Sequence, residues 1–226
     1  MSFEALPERL AQVRVEIARL ADQPVTIVAV TKGFGPDAIR AALAAGLPDI
    51  GENRVQEAIR KQDELRELPA GEIRWHLIGH VQRNKARAIP GRFELIHSLD
   101  SLELAQELDR RLTAPQRVLL QVNVAREPQK SGCGPEDAPA LARQIAAMQH
   151  LRLEGLMTLA PFTDDEAVQR RTFRDLRGLR DRIKEEGLWL PTLSMGMSGD
   201  YVSAVREGAT VIRLGTALFG QREATA

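Results

Sequence analysis

Val25-Thr26-Ile27-Val28-Ala29-Val30-Thr31-Lys32 is an apolar, β-branched run that ends on a lysine, and Gly33-Phe34-Gly35-Pro36 follows at once. A run of this kind reads as a strand buried on both faces, and the glycines and proline mark its exit into a loop and helix. A lysine at that exit carries its amine to the end of a parallel sheet. An amine held against apolar walls loses proton affinity, because desolvation penalises the ammonium, and becomes able to attack an aldehyde. Lys32 is therefore a Schiff-base candidate, although a lone lysine at a strand end is more often ordinary surface charge.

Working outward, the same alternation of apolar run and amphipathic segment continues along the chain. Strands are expected at residues 25–32, 49–53, 73–79, 93–98, 117–124, 153–159, 192–197 and 210–214. Helices are expected at 36–45, 54–68, 82–89 and from the Ser101 cap to residue 112, with further stripes at Leu141, Ile145 and Met148 and at Phe173, Leu176, Leu179 and Ile183. An extra N-terminal helix carries Leu6, Leu10, Val13, Ile17 and Leu20 on one face. Eight strands alternating with helices imply an α/β fold with a parallel sheet, closed as a single (β/α)8 TIM barrel spanning 1–226. An open doubly wound sheet is the rival, but no G-x-G-x-x-G follows the first strand and Gly33-x-Gly35 reads as a turn.

The 226 residues carry 31 basic and 31 acidic side chains, a balance that argues against a polyanion-binding protein. Cys133 is the only cysteine, so neither an intramolecular disulfide nor a cysteine metal cluster is available. Charged residues interrupt the first twenty positions, and no stretch is long and apolar enough to span a bilayer. The expectation is a cytoplasmic, soluble protein with neither nucleic acid nor membrane as partner.

In a barrel the loops after the strands form the functional face. Lys32, Asn53, His76 with Gly79, and Asn123 fall at such ends. So do Ser194-Met195-Gly196-Met197-Ser198-Gly199-Asp200 and Arg213-Leu214-Gly215-Thr216. The last two segments follow strands seven and eight, where barrels often hold phosphate. Ser198 and Thr216 supply hydroxyl donors there, and the amides near Gly199 and Gly215 lie beside them. An amine that attacks aldehydes and a phosphate cup on neighbouring strands together fit pyridoxal 5′-phosphate.

Ala29-Val30-Thr31-Lys32, Gly51-Glu52-Asn53-Arg54-Val55-Gln56-Glu57, Trp75-His76-Leu77-Ile78-Gly79, Lys130-Ser131-Gly132, Gly155-Leu156-Met157, residues 193–198 and Arg213-Leu214-Gly215-Thr216 resemble the pyridoxal phosphate homeostasis proteins, which are similar to the N-terminal barrel of alanine racemase. The resemblance covers nearly the whole chain in order. It implies a fold-type-III-like barrel that binds pyridoxal 5′-phosphate as a covalent aldimine on Lys32. It also implies a pyridine nitrogen facing Arg213, a phosphate held by Ser198, Gly215 and Thr216, and Asn53 and His76 near the ring. The turn after Lys32 departs from relatives that carry a second lysine close to the first.

Two function classes follow. One is a carrier that buffers the cofactor and maintains its intracellular pool, with transient contact to apo-enzymes and a monomeric state expected. The other is an amino-acid racemase. An arginine facing the ring nitrogen keeps its proton and makes the ring a poorer electron sink. The resemblance implies that a racemase takes its opposing tyrosine from a second domain, whereas this chain contains a single tyrosine, Tyr201. Carrier is the stronger expectation. Among the remaining residues, His76 and His80 have helical metal spacing but lie on a strand end and turn, which argues against zinc. His97 and His150 carry no constellation, and Cys133 is a bystander thiol. Lys130 reads equally as loop charge or as a secondary cofactor contact.

Overall fold

The computed structural model describes residues 3–69 and 71–221. Eight parallel strands close on themselves in sequential order, each hydrogen-bonded to the next and β8 to β1. They are β1 (Thr26–Val30), β2 (Asp49–Glu52), β3 (Arg74–Leu77), β4 (Leu95–Leu99), β5 (Gln116–Gln121), β6 (Leu151–Met157), β7 (Thr192–Met197) and β8 (Val211–Leu214). The helices are α1 (Leu6–Leu20), α2 (Pro36–Ala44), α3 (Val55–Glu64), α4 (Leu102–Asp109), α5 (Ala138–Ala146), α6 (Glu166–Glu185), α7 (Tyr201–Arg206) and α8 (Thr216–Phe219). The expected closed barrel with an extra leading helix is the observed architecture; the open sheet is not.

Between β3 and β4 the expected helix at 82–89 is a 3-10 segment, Arg83–Ala88. Here Arg83, Lys85 and Arg87 supply alternating charge and only Ala86 is buried, so no apolar stripe builds an α-helical face. The first strand stops at Val30, two residues before Lys32, because Gly33 takes a φ of 73° and Phe34 N–H closes a turn on the Thr31 carbonyl. Ser101 caps α4 as expected, its Oγ accepting from Leu104 N–H at 3.4 Å.

Alternation along the strands sorts side chains into two spaces. Ala29, Ile50, Leu77, Leu156, Leu193 and Ile212 join the large apolar cluster shared with the helices. The intervening residues face inward, where a small cluster of Leu95, Leu119 and Met157 with Leu159 fills part of the lumen and polar side chains fill much of the rest. The stripe of α1 is real: Leu6, Leu10 and Val13 are buried, and Ile17 and Leu20 pack against the same cluster. Phe3, Phe34 and Phe219 meet with ring centroids 5.4 to 6.0 Å apart, and tie the start of the chain to the loop after β1 and to α8.

Candidate functional site

Thr31 still belongs to the ladder, since its N–H donates to the Gly51 carbonyl at 3.1 Å. Its side chain turns outward toward α3, where Thr31 Oγ1 lies 2.5 Å from Glu52 Oε1. Alternation then turns Lys32 to the inner side, over the C-terminal mouth of the barrel. Lys32 is exposed, and its amine makes no hydrogen bond or ion pair among the described residues. The expected apolar walls are absent: two residues beyond the strand, the chain has left the packed layers that would supply them. The other lysines closest to this end are engaged. Lys61 is fully buried in ion pairs, and Lys130 donates to the Ala160 carbonyl at 2.7 Å and pairs with Glu127.

Asn53 continues the inward column of Asp49 and Gly51, and its side chain carries no hydrogen bond among the described residues. Its backbone meets Gly79 so closely that a Cβ on the glycine would stand 2.2 Å from the Asn53 carbonyl oxygen, which brings the exits of β2 and β3 together. Asn123, by contrast, spends its amide on its own loop, bonding the Glu127 and Lys130 carbonyls and the Glu127 N–H.

After β7, Ser198 reaches across to the exit of β8. Its Oγ accepts from Gly215 N–H and Ala217 N–H, both at 3.1 Å, and so organises the start of α8. The Gly215 amide offered by the sequence to a phosphate is thus already bonded to Ser198, while the Ser198 proton remains available to a third acceptor. Gly199 and Thr216 are exposed beside it, and a Cβ at Gly199 would meet nothing within 4 Å.

Arg213 lies inside the barrel, 3% exposed. Its guanidinium donates to Ser194 Oγ at 2.6 Å and to the Thr158 carbonyl at 3.0 Å. Burial lowers its pKa to about 10, against the opposing field of Asp200, which leaves it charged at neutral pH. From Ser194 a chain of side chains runs down the lumen. Ser194 Oγ is 2.8 Å from His97 Nδ1, His97 Nε2 is 2.9 Å from His76 Nδ1, and His76 Nε2 is 2.9 Å from Asp49 Oδ1. Arg74 completes it with bonds of 2.8 and 2.6 Å to the two Asp49 oxygens.

The two ends of this chain carry opposite charge. Burial opposes the charge on Asp49, but bonds from His76 and Arg74 outweigh it and hold the carboxyl down at about 2. An ionised Asp49 accepts from His76 Nε2–H. Burial, with the charges of His76, Arg213 and Arg117, pushes His97 well below the usual histidine range, so it is neutral. Neutral His97 donates from one ring nitrogen and accepts at the other, between Ser194 and His76, and Ser194 Oγ accepts from Arg213. The chain ends beside a cavity of 450 Å³ at the N-terminal end of the barrel, lined by Gln23, Pro24, Asp49 and Arg74 among others, opposite the Lys32 mouth.

This corrects the reading of His97 as a residue without a constellation. It also changes the place of His76, whose two ring nitrogens are both committed inside the barrel rather than free at its mouth. Histidine pairing across strands has no sequence-local signature, and only the register that sets Gly51 against His76 and His76 against Leu95 brings these residues together. Among the described residues no three His, Cys, Asp or Glu side chains gather to hold a metal ion. Burial pushes the Cys133 thiol up to about 12. Tyr201 is half-buried against the outer apolar cluster. Burial and the charge of Glu16 on α1 raise its pKa, which places it in the sheath rather than over the mouth.

Residues 7–223 match the family model described as the alanine racemase N-terminal domain. The pyridoxal phosphate homeostasis protein of Pseudomonas aeruginosa is 45% identical, over 98% of this chain and 97% of its own length, and that of Aquifex aeolicus is 38% identical over 96% and 98%. The structure of PipY from Synechococcus elongatus with PLP bound superposes with a TM-score of 0.84 at 41% identity, covering 95% of this chain and all of that one. Alanine racemase of Corynebacterium glutamicum, 16% identical with a TM-score of 0.75, shares the barrel over 63% of its own chain. The barrel, the order of its motifs and these full-length likenesses place this chain in the pyridoxal phosphate homeostasis protein family.

Proposed function

We propose that this chain binds pyridoxal 5′-phosphate at the C-terminal mouth of its barrel, and that it carries and buffers the cofactor without amino-acid turnover. One observation carries the reading: Lys32 presents an unpaired, exposed amine at the same end of the barrel as the Ser198–Gly215 junction and the charged Arg213. The donor set fits the group. An amine suits an aldehyde, the Ser198 and Thr216 hydroxyls with the open Gly199 segment suit a phosphate, and a buried guanidinium suits a ring nitrogen that accepts. When bound, the cofactor supplies a reactive aldehyde, and Lys32 Nζ is the group proposed to hold it covalently. Arg213 is held in the barrel by Ser194 and Thr158 and keeps its proton at neutral pH, which suits retention of the ring better than carbanion chemistry. Asn53 stands near the mouth with a free amide. His76 supports Arg213 through His97 and Ser194 rather than touching the ligand.

The position of Tyr201 in the outer sheath supports a carrier over a racemase, because it leaves Lys32 without that partner base. A whole chain of 1–226 acting as one cofactor-binding domain belongs to the same proposal; its first two and last five residues lie outside the described residues. A cytoplasmic location and transient contact with apo-enzymes are further parts of it. No described helix is long and apolar enough to cross a membrane. The test is borohydride reduction of protein loaded with pyridoxal 5′-phosphate, followed by peptide mapping. A phosphopyridoxyl group on Lys32 is expected; a label mainly on Lys61, Lys85, Lys130 or Lys184 rejects the site.

A further inference from the structure

Lys32 makes no bond through its own side chain, yet both its chain neighbours are gripped from one buried cluster. Lys61 on α3 is 0% exposed, and its ammonium donates to the Thr31 carbonyl at 2.8 Å, Glu52 Oε1 at 2.6 Å and Glu57 Oε1 at 2.8 Å. All three of its protons are used. Glu52 Oε1 also bonds the Thr31 hydroxyl, and Glu57 Oε1 accepts from Gly33 N–H at 2.7 Å. The residue before Lys32 is therefore held at its carbonyl and its hydroxyl, and the residue after it at its amide.

A buried ion cluster is a poor way to add stability, since desolvation offsets most of the attraction and apolar packing would serve as well. Its second oxygen, Glu52 Oε2, is buried with no hydrogen-bond partner, a further cost to the fold. What the cluster does that apolar side chains could not is bond the main chain on both sides of one residue. We propose that Lys61, Glu52 and Glu57 are positioning residues that fix the Thr31–Gly33 backbone and so present the Lys32 amine to the ligand's aldehyde. This inference rests on the reading of Lys32 as the attachment point. The cluster faces α3, on the other side of the strand from the mouth, so it acts through the backbone and touches no ligand.

Lys61→Met would leave buried Glu52 and half-buried Glu57 without a counter-charge and can unfold the chain, so the test uses Glu57→Gln and Thr31→Val. Three measurements are made on each folded variant: Gly33 amide hydrogen exchange in cofactor-free protein, the rate of covalent attachment of pyridoxal 5′-phosphate by absorbance, and equilibrium binding of deoxypyridoxine 5′-phosphate, which lacks the aldehyde. Gly33 exchange at least tenfold faster in Glu57→Gln is expected. So is attachment at least tenfold slower in both variants, with affinity for the aldehyde-free probe within twofold of the parent. Attachment at the parent rate overturns the proposal, as does a parallel loss of probe affinity, which would mark a merely structural role. Unchanged Gly33 exchange overturns the clamp by itself, whatever the cofactor does. If the parent protein forms no bond through Lys32, the reading of the site fails, and the proposal fails with it.

Discussion

At the scale of single residues, the lumen sets two basic groups apart. Arg213 is buried, charged and bonded, while Lys32 is exposed and unbonded. The difference lies in the relay beneath Arg213, whose far anchor is Asp49. Asp49 has a folded-state pKa of about 2 against an ordinary 3.8. A depressed carboxylate contributes stability that is full above its unfolded pKa and is lost as pH falls through the folded one, so the window here runs from about pH 4 down to about pH 2. A shift of nearly two pH units corresponds to about 2 kcal/mol. Asp49→Asn should therefore be less stable than the parent by about 2 kcal/mol at pH 7 in urea unfolding, with the gap narrowing below pH 4. A gap that persists unchanged at pH 2.5 would mean that packing, not the ionised carboxylate, anchors the relay. Lys32→Ala belongs to the same scale: covalent retention of pyridoxal 5′-phosphate should vanish, and weaker, reversible binding should remain through the Ser198 and Thr216 side.

At the scale of elements, the junction of β7 and β8 does two jobs with one hydroxyl. Ser198 Oγ satisfies the Gly215 and Ala217 amides, and its proton is left for the phosphate proposed to bind there. Ser198→Ala with Thr216→Val should weaken cofactor retention by about 3 kcal/mol, roughly a hundredfold, since two charge-assisted donors are removed. The fold should lose about 1 kcal/mol as well, because two amides lose their acceptor. Equal cofactor affinity by titration would dismiss the phosphate site. The strand exits were legible in sequence because strand end, glycine and polar residue are neighbours along the chain, as in Val30-Thr31-Lys32-Gly33. What joins distant strands was not. His97 to Ser194 spans 97 positions and Arg213 to Thr158 spans 55, and only barrel register brings them within bonding distance. Lys61 was hidden for another reason. On a charged helix it reads as solvated, and only the outward turn of Thr31 and Glu52 shows that its amine is needed inside.

For the whole molecule, the proposed role of carrier asks the barrel to hold the cofactor without reacting it. Its lumen contains histidines, a serine and a carboxylate that could move protons, yet they are bonded to one another and end at the floor rather than the mouth. The one tyrosine packs in the outer sheath. Proton traffic across a substrate carbon needs two bases on opposite faces within hydrogen-bond reach. At the mouth Lys32 is exposed and unbonded among the described residues, Asp200 accepts from Met197 N–H through one oxygen, and Arg213 retains its proton below. Among the described residues, the exposed large apolar side chains, Val15, Phe162, Val168, Trp189 and Met197, are spread over α1, two loops, α6 and the end of β7, which supports the expected monomer of 25.0 kDa. Loaded protein should sediment at that mass and convert L-alanine or L-serine to the D-form far more slowly than about 1 per second, the lower end of ordinary enzyme turnover. It should still release pyridoxal 5′-phosphate to an apo-enzyme added in excess, read as activity regained by that enzyme. Racemisation at enzymatic rates that disappears in Lys32→Ala would instead make the barrel a catalyst.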